Sequence, residues 1–285
     1  MNRIFIAPIL LLLSLSSPAV SQTPAGIEIQ VLKAEDARAY DRTIENLLRH
    51  TNPAIRTRAA LAAGRIGSEA AVPALLPILE KGTTAKEREM AAFALGEIES
   101  IAAADAILKA LNEQKAETRA VASVPQAETR ALTRVPNETA RLVEAAGKIA
   151  AANPKDPKSK DLGEAILDTL EAEDRRGAKQ SRDVVLMGLT AALRAKPDET
   201  NIVVAKFLTN LDARVRADAA NTLSRVKAKN ANEALRSMLL SDSDAVARAN
   251  AARALGAAED KMAFDLLIEA ATEDTDSRVR VSAIR

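Results

Sequence analysis

Residues 212–226 read DARVRADAANTLSRV, and the same frame occurs four more times in the chain. DAVARANAARALGAA begins 32 residues later at Asp244, and DSRVRVSAIR begins a further 32 residues on at Asp276. Two earlier copies begin at Asn52 and Thr84. A fixed spacing of roughly 20–50 residues is the sequence signature of stacked-repeat proteins, in which each unit covers the apolar face of the next.

Every copy predicts a helix that begins in the same way. Its first residue is Asn, Thr or Asp, whose side-chain oxygen accepts a hydrogen bond from a free backbone N–H at the helix start. An arginine follows four residues on and an alanine seven residues on: Arg56, Arg88, Arg216, Arg248 and Arg280, then Ala59, Ala91, Ala219, Ala251 and Ala283. Apolar residues at helical spacing precede the copies, so each repeat is predicted to be a pair of antiparallel helices.

This frame resembles the second helix of the HEAT-repeat family, in particular the short bacterial type of the phycobilisome lyases. That helix reads D-x-x-V-R-x-x-A-A-x-A-L-G-x-I, and the matching residues are Asp212, Val215, Arg216, Ala219, Ala220 and Leu223, together with Ala91, Ala92, Leu95, Gly96 and Ile98. The resemblance implies an all-α fold, a right-handed α-solenoid of about seven antiparallel helix pairs with a period of about 32 residues. It leaves the function open, because solenoids of this kind serve unrelated roles.

The first residues are typical of a secretory signal peptide. A short apolar run over residues 4–15 follows Arg3, and Ala19-Val20-Ser21 has the small residues of a cleavage site. We therefore expect residues 1–21 to be removed after Ser21 and the protein to be exported, periplasmic or extracellular, and free of the membrane. The chain has no cysteine, so its stability in such a compartment must come from core burial alone.

The remaining chain divides into a leader, two groups of repeats and a linker. Residues 22–35 are predicted to be a flexible leader, and residues 36–152 hold repeats 1–3. An insertion at about 113–138 lengthens repeat 3, either as part of a binding face or as a tolerated surface loop. The polar residues 153–160 are predicted to link this group to repeats 4–7 over residues 161–285. The seventh repeat stops inside its second helix without a polar cap, which predicts that the chain is the front part of a longer protein.

Composition excludes several classes of function. Removal of the signal peptide leaves 39 basic and 39 acidic residues, so the chain lacks the basic surplus expected of a nucleic-acid binder. Aromatic residues make up 2% of the chain and tryptophan is absent, which leaves little for stacking of bases or sugars. With one histidine and no cysteine, the sequence predicts no catalytic group, no metal site and no cofactor. The acidic pairs Asp242/Asp244 and Asp274/Asp276 are interpreted as helix caps rather than calcium ligands.

A protein or peptide partner is the predicted ligand, held on the concave face that second helices line in HEAT-like solenoids. Exposed positions expected on that face are Arg58, Arg65, Glu97, Lys148, Asn221, Arg225, Asn250 and Arg253. These residues carry both signs of charge, which suits a polar protein interface better than a polyanion.

The recurring Asp and Arg residues are predicted to form a structural ladder rather than a site. Each aspartate is expected to cap its own helix, and each arginine to reach a carboxylate in the turn of a neighbouring repeat, with Asp212 paired to Arg248 and Asp244 to Arg280. The ladder set is Asp212, Arg216, Asp244, Arg248, Asp276 and Arg280.

Two other functions remain open at this point. The chain could be the binding part of a larger secreted enzyme, such as a cyclophilin-like peptidyl-prolyl isomerase, because HEAT arrays precede catalytic domains in some proteins. It could also resemble the chromophore lyases in function, although the signal peptide and the few aromatic residues count against that reading.

Overall fold

The structure is a computed structural model that describes residues 24–122 and 136–285. The signal peptide, its cleavage site and residues 123–135 of the insertion lie outside the described residues. All regular structure in the described ranges is helical. The 15 α-helices are α1 Pro24–Asp36, α2 Arg42–Leu48, α3 Pro53–Ile66, α4 Val72–Lys81, α5 Ala85–Ile98, α6 Ala104–Ala122, α7 Pro136–Ala152, α8 Pro157–Asp174, α9 Arg182–Ala195, α10 Thr200–Ala205, α11 Ala213–Val226, α12 Asn232–Ser241, α13 Ala245–Ala257, α14 Phe264–Glu273 and α15 Ser277–Ile284.

Helices α2 to α15 form seven successive pairs in the described part of the chain, which confirms the all-α repeat fold. The odd-numbered members α3 to α15, called here the second helices, pack in one row, each against the next. The even-numbered members α2 to α14, called the first helices, form the other row. The right-handed sense of the superhelix stays a prediction.

The predicted caps begin the second helices. The Asn52 side chain accepts from the N–H of Ala54, and Asp212 accepts from the N–H groups of Arg214 and Val215. Thr84 forms a capping box with Glu87, in which each side chain accepts a hydrogen bond from the other residue's backbone. These bonds satisfy donors that a helix start would otherwise leave open.

The two rows of helices use side chains of different size. First helices contribute leucine and isoleucine to the core, for example Leu75, Ile107 and Ile166, all fully buried. Second helices meet through buried alanine and glycine, so their backbones approach closely. A Cβ on Gly64 would lie 2.8 Å from the Cα of Ala94 on the next helix. Because closer spacing makes the second-helix row the shorter one, we infer that the stack bends toward it.

Substitution of Gly147 tests the close approach of α7 and α9, because a Cβ at this position would lie 2.7 Å from the Cα of Ala191. We expect Gly147→Ala to destabilise by about 1–3 kcal/mol, since the clash between α7 and α9 outweighs the better helix propensity of alanine. Gly256 is the matched control: a Cβ there meets nothing within 4 Å, so Gly256→Ala is expected to stabilise by about 0.5–1 kcal/mol. Urea unfolding compares them, and stabilisation by both substitutions would contradict close packing at Gly147.

The prediction of a flexible leader is wrong for residues 24–35. These residues lie in α1, which packs against α2 and α3. Ile27 and Val31 are buried in that contact. The spacing of apolar residues within the leader is the sequence signal that could have predicted this helix. In the structure, α1 covers the front of the first repeat.

The predicted linker is shorter than expected. Residues 153–156 form a turn, and α8 starts at Pro157 within the predicted linker 153–160. The side chain of Asn153 donates to the carbonyl oxygens of Ile149 and Glu99, each at 2.8 Å. Since α7 also packs directly on α9, the stack has no joint here. In the predicted insertion 113–138, α6 continues as far as Ala122 and α7 begins at Pro136, so the described ends of the insertion extend these two helices.

None of the helices in residues 24–122 and 136–285 is long and apolar enough to cross a bilayer.

Candidate functional site

One arginine geometry recurs at the fourth position of five second helices. In each case Nη1 donates to the backbone carbonyl six residues earlier, at 2.6–2.9 Å. The arginines are Arg56, Arg88, Arg216, Arg248 and Arg280. With Nη1 bound to the preceding turn, Nε and Nη2 of each guanidinium point away from that turn. In four of the five, the remaining nitrogens reach a carboxylate of the following repeat.

The carboxylate comes from two different positions. In the rear half it stands two residues before the helix cap. Arg216 binds Asp242 through Nε and Nη2 at 2.7 Å each, and Arg248 binds Asp274 at 2.8 and 2.9 Å. In the front half a glutamate in the first turn of the next second helix takes this role. Arg56 binds Glu87 at 2.6 Å, and Arg88 binds Glu138 at 2.9 and 3.1 Å.

The expected pairings of Asp212 with Arg248 and of Asp244 with Arg280 are therefore wrong. The structure places Asp212, Asp244 and Asp276 as caps of α11, α13 and α15. Arg216 and Arg248 instead bind the acid two residues before the next cap, Asp242 and Asp274. Asp242 and Asp274 also accept a backbone bond from the cap residue at 2.8 Å, which fixes them in the turn.

The ladder is interrupted in the middle of the stack. At the same helical position α7 has Thr139 and α9 has Val185, and both are buried. Arg182 at the start of α9 instead reaches forward to Asp212, at 2.6 Å. The contact between α7 and α9 is thus made by Gly147 and alanine packing and lacks an arginine of this kind.

The arginines hold their acidic partners ionised. The hydrogen bond from Arg248 is the main cause that lowers the pKa of Asp274. At Asp242, burial acts to raise the pKa, but the bonds from Arg216 and from the backbone of Asp244 outweigh it and the pKa is lowered.

A pH prediction follows from Asp274. Because its pKa is lower in the folded protein, the stability it contributes is present above the unfolded pKa of about 3.9 and is lost as pH falls through the folded pKa. We expect the difference in unfolding free energy between the natural protein and Asp274→Asn to be full at neutral pH and to shrink below about pH 4. Asn210 occupies the equivalent position and still accepts from Asp212 N–H, so asparagine keeps the turn. A difference that stays constant from pH 7 to 3 would contradict the pairing.

Two of the predicted binding residues, Arg58 and Arg65, form ion pairs with α1. Arg58 forms ion pairs with Glu28 at 2.9 Å and Glu35 at 2.7 Å, both on α1. Arg65 reaches Glu35 at 3.4 Å. The hydrogen bond from Arg58 is the main cause that lowers the pKa of Glu35. Arg58 therefore links α3 to α1 through ion pairs.

The prediction that Asn250 is exposed is wrong. Its side chain is buried, and Nδ2 donates to the carbonyl oxygen of Ala217 at 2.8 Å. Thr222 makes a similar contact one repeat earlier from a different helical position, where its hydroxyl donates to Leu189 O at 3.5 Å. Both residues join neighbouring second helices from within the stack.

Glu97 and Lys148 meet on the exposed side of α5 and α7, where Lys148 pairs with Glu97 and with Glu144. Phe93 lies beside them and was not predicted. Its ring centroid is 5.5 Å from the guanidinium carbon of Arg141 and 5.7 Å from Nζ of Lys148. Cations within about 6 Å of a ring are attracted to its face.

Phe93 stands nine residues after its helix cap, the same position as Asn221 and Arg253. Because those two residues were predicted to lie on the exposed face, the repeat frame could also have predicted Phe93 there. The rear residues differ in exposure. Asn221 is half-buried, whereas Arg225 and Arg253 are exposed, and Arg253 donates to Asn250 Oδ1 at 3.3 Å. The exposed side of the second helices is thus aromatic and ion-paired at the front and polar to cationic at the rear.

In the ranges that the structure describes, no group of histidine and carboxylate side chains is placed to hold a metal ion. His50 accepts a hydrogen bond on Nδ1 from the backbone N–H of Asn52 at 3.0 Å, in the turn where Asn210 and Asp242 make the same bond in later repeats. Its geometry is that of a turn residue.

Paired helices, a row of close-packed second helices and arginine links between repeats define an α-helical repeat scaffold. Comparison with known families agrees: residues 200–285 match HEAT repeats, and residues 87–113 match the PBS lyase HEAT-like repeat. HEAT-type repeats are thus present in the chain at residues 87–113 and 200–285.

Among curated proteins, none matches this sequence. Solved structures similar to it include the complex of CpcE and CpcF of phycocyanin lyase from Nostoc sp. PCC7120. That match is 19% identical with a TM-score of 0.48, and it covers 100% of this chain and 97% of that chain. Human deoxyhypusine hydroxylase in complex with glycerol is 16% identical with a TM-score of 0.37, over 93% of this chain and 89% of that chain. The likeness concerns the helical fold.

Proposed function

We propose that this protein is an exported scaffold that binds a protein or peptide partner on the exposed side of its second helices. The observation that carries the proposal is the surface around Phe93. A half-buried ring on α5 lies next to two cations and two carboxylates, on a row of helices to which the stack bends. Aromatic residues and arginine are the types enriched at protein interfaces.

The charges of this surface favour a protein partner over a polyanion. Around Phe93, Arg141 and Lys148 are balanced by Glu97 and Glu144, and all four lie in ion pairs. A surface with both signs presents donors and acceptors in fixed places, which gives specificity toward one partner.

Site-specific photo-crosslinking tests the proposal. A photoreactive amino acid is placed at Phe93, Asn221 or Arg253 on second helices, and at Glu80 or Asp265 on first helices as a control. We expect the second-helix positions to yield one shared crosslinked protein in the native host and the first-helix positions not to yield it. Crosslinking to that protein from the first helices alone would refute the proposed face.

Export is part of the same proposal and has its own test. Cleavage after Ser21 would leave α1 whole, since that helix begins at Pro24. We expect intact-mass spectrometry of protein isolated outside the cytoplasm to give a chain that begins at Gln22. Recovery of that protein with residues 1–21 still attached would contradict cleavage.

A further inference from the structure

A basic groove lies between two loops at the ends of second helices. The loop after α9 contributes Lys196, and the loop after α11 contributes Lys227 and Lys229; Arg225 completes the set from the last turn of α11. The groove has a volume of about 520 Å³, within the range of about 300–1,000 Å³ usual for ligand sites. Asp198 is the single carboxylate among its lining residues.

These four cations differ from most of the basic residues around them. All four are exposed, and none forms an ion pair with a residue in the described part of the chain, whereas Lys206, Arg214, Arg216 and Arg236 on the flanking helices all do. The formal net charge of the whole chain is +1. The groove therefore brings four positive charges together with one carboxylate, Asp198, among its lining residues.

Helix-end electrostatics do not account for these lysines. Lys196 and Lys227 occupy the left-handed position that ends a second helix, with φ of 50° and 53°. Cations are favoured near helix C-termini, yet Glu99 and Glu259 hold a left-handed position at the ends of α5 and α13. The fold thus accepts either charge at this position.

A pair of hydrogen bonds ties the start of α10 to the loop after α11 at this groove. Asn201 Nδ2 donates to Asn230 Oδ1 at 3.0 Å, and Asn230 Nδ2 donates back to Asn201 O at 3.3 Å. Thr200, the first residue of α10, donates from its hydroxyl to Pro197 O in the preceding loop at 2.6 Å. A groove whose walls are tied together loses little entropy when a ligand binds.

We propose that this groove binds an acidic segment of the partner protein, an inference that rests on the proposed function. Carboxylates fit four unpaired cations, and steering by such a patch speeds encounter with an acidic partner. A nucleic acid fits less well, because none of the residues lining the groove is aromatic and bases would lack a surface on which to stack.

Fluorescence anisotropy with a labelled octaglutamate peptide tests the groove. The groove variant combines Lys196→Asn, Lys227→Asn, Lys229→Gln and Arg225→Gln; asparagine is chosen at the two left-handed positions because it tolerates them. The charge-matched control combines Lys33→Gln, Arg42→Gln, Lys155→Gln and Lys179→Gln, four exposed cations elsewhere. We expect the groove variant to weaken binding at least about tenfold and the control to change it by less than about twofold.

The pair Arg225→Gln and Lys229→Gln leaves the two left-handed residues Lys196 and Lys227 unchanged and is expected to weaken binding about threefold even if the full variant fails to fold. Equal weakening by groove and control variants would overturn the proposal, as would octaglutamate binding no better than octaglutamine. Tighter binding of an eight-nucleotide single strand with the same dependence on the groove would overturn it in favour of nucleic acid. If octaglutamate fails while crosslinks from Phe93 persist, the groove inference falls and the scaffold proposal stands.

Discussion

Replacing Leu223 with alanine is expected to lower the free energy of unfolding by about 2–5 kcal/mol, and Leu255→Ala by a similar amount. Both side chains are fully buried, at equivalent positions of α11 and α13. Each truncation removes apolar contacts and leaves a cavity that the surrounding helices fill only in part. Where the destabilisation falls within this range depends on how far the neighbouring alanines can move into the cavity. Close packing along the row of second helices limits that movement.

Arg225→Ala is the control for these truncations, two residues further along α11. Its side chain is exposed, so the expected change is below about 0.5 kcal/mol. Urea unfolding followed by circular dichroism measures all three variants. Equal midpoint shifts for Leu223, Leu255 and Arg225 would mean that the buried face of these helices has been assigned wrongly.

Removing an arginine from the ladder is expected to have the second large effect. In Arg216→Met, the Asp242 carboxylate loses both guanidinium bonds, although its side chain is only 5% exposed. Removal of one partner of a buried ion pair costs about 3–5 kcal/mol, because the remaining charge is poorly solvated. Arg216 is itself 14% exposed, so water offers some relief and we expect the lower end, about 3 kcal/mol.

A double-mutant cycle separates the pair from the other bonds of Arg216, which also include the carbonyl of Asn210. With Asp242→Asn as the second change, we expect a coupling of at least about 1.5 kcal/mol. The exposed pair Arg214/Asp218 on the same helix is the control, with an expected coupling below about 0.5 kcal/mol. Equal couplings for the two pairs would remove the ladder as a stabilising element.

The fold was predictable because its signal repeats. The cap, the arginine and the buried alanines recur at a fixed spacing, and each carries a local physical meaning that holds without knowledge of the neighbours. The acid that pairs with each arginine was not predictable in the same way. It is an aspartate before the cap at Asp242 and a glutamate after the cap at Glu87, and only the stacking of repeats brings either one to the arginine.

The candidate site was predicted less well than the fold, for a related reason. Arg58 and Asn250 stand at one position of the repeat frame, six residues after the cap, and a polar residue there predicts exposure. In the structure α1 covers Arg58, and Asn250 turns inward to the carbonyl of Ala217. Polar side chains at this position are used for contact between elements, which a single helix pattern does not reveal. Exposed charge at Arg225 and Arg253 was predictable, since no neighbouring helix covers those positions.

The link between Arg216 and Asp242 has a consequence for how the gene can change in length. Loss of residues 213–244 would join Asp212 directly to Ala245 and remove both partners of that pair together. Asp212 would then cap α13, Arg182 would keep its aspartate, and Arg248 would still reach Asp274. Unequal recombination in steps of 32 residues therefore keeps the remaining ladder arginines paired. It also removes Arg236, however, and leaves the Asp260 carboxylate, which is 6% exposed, without its ion-pair partner. We expect a lineage that has lost this unit to carry an uncharged residue at the position of Asp260.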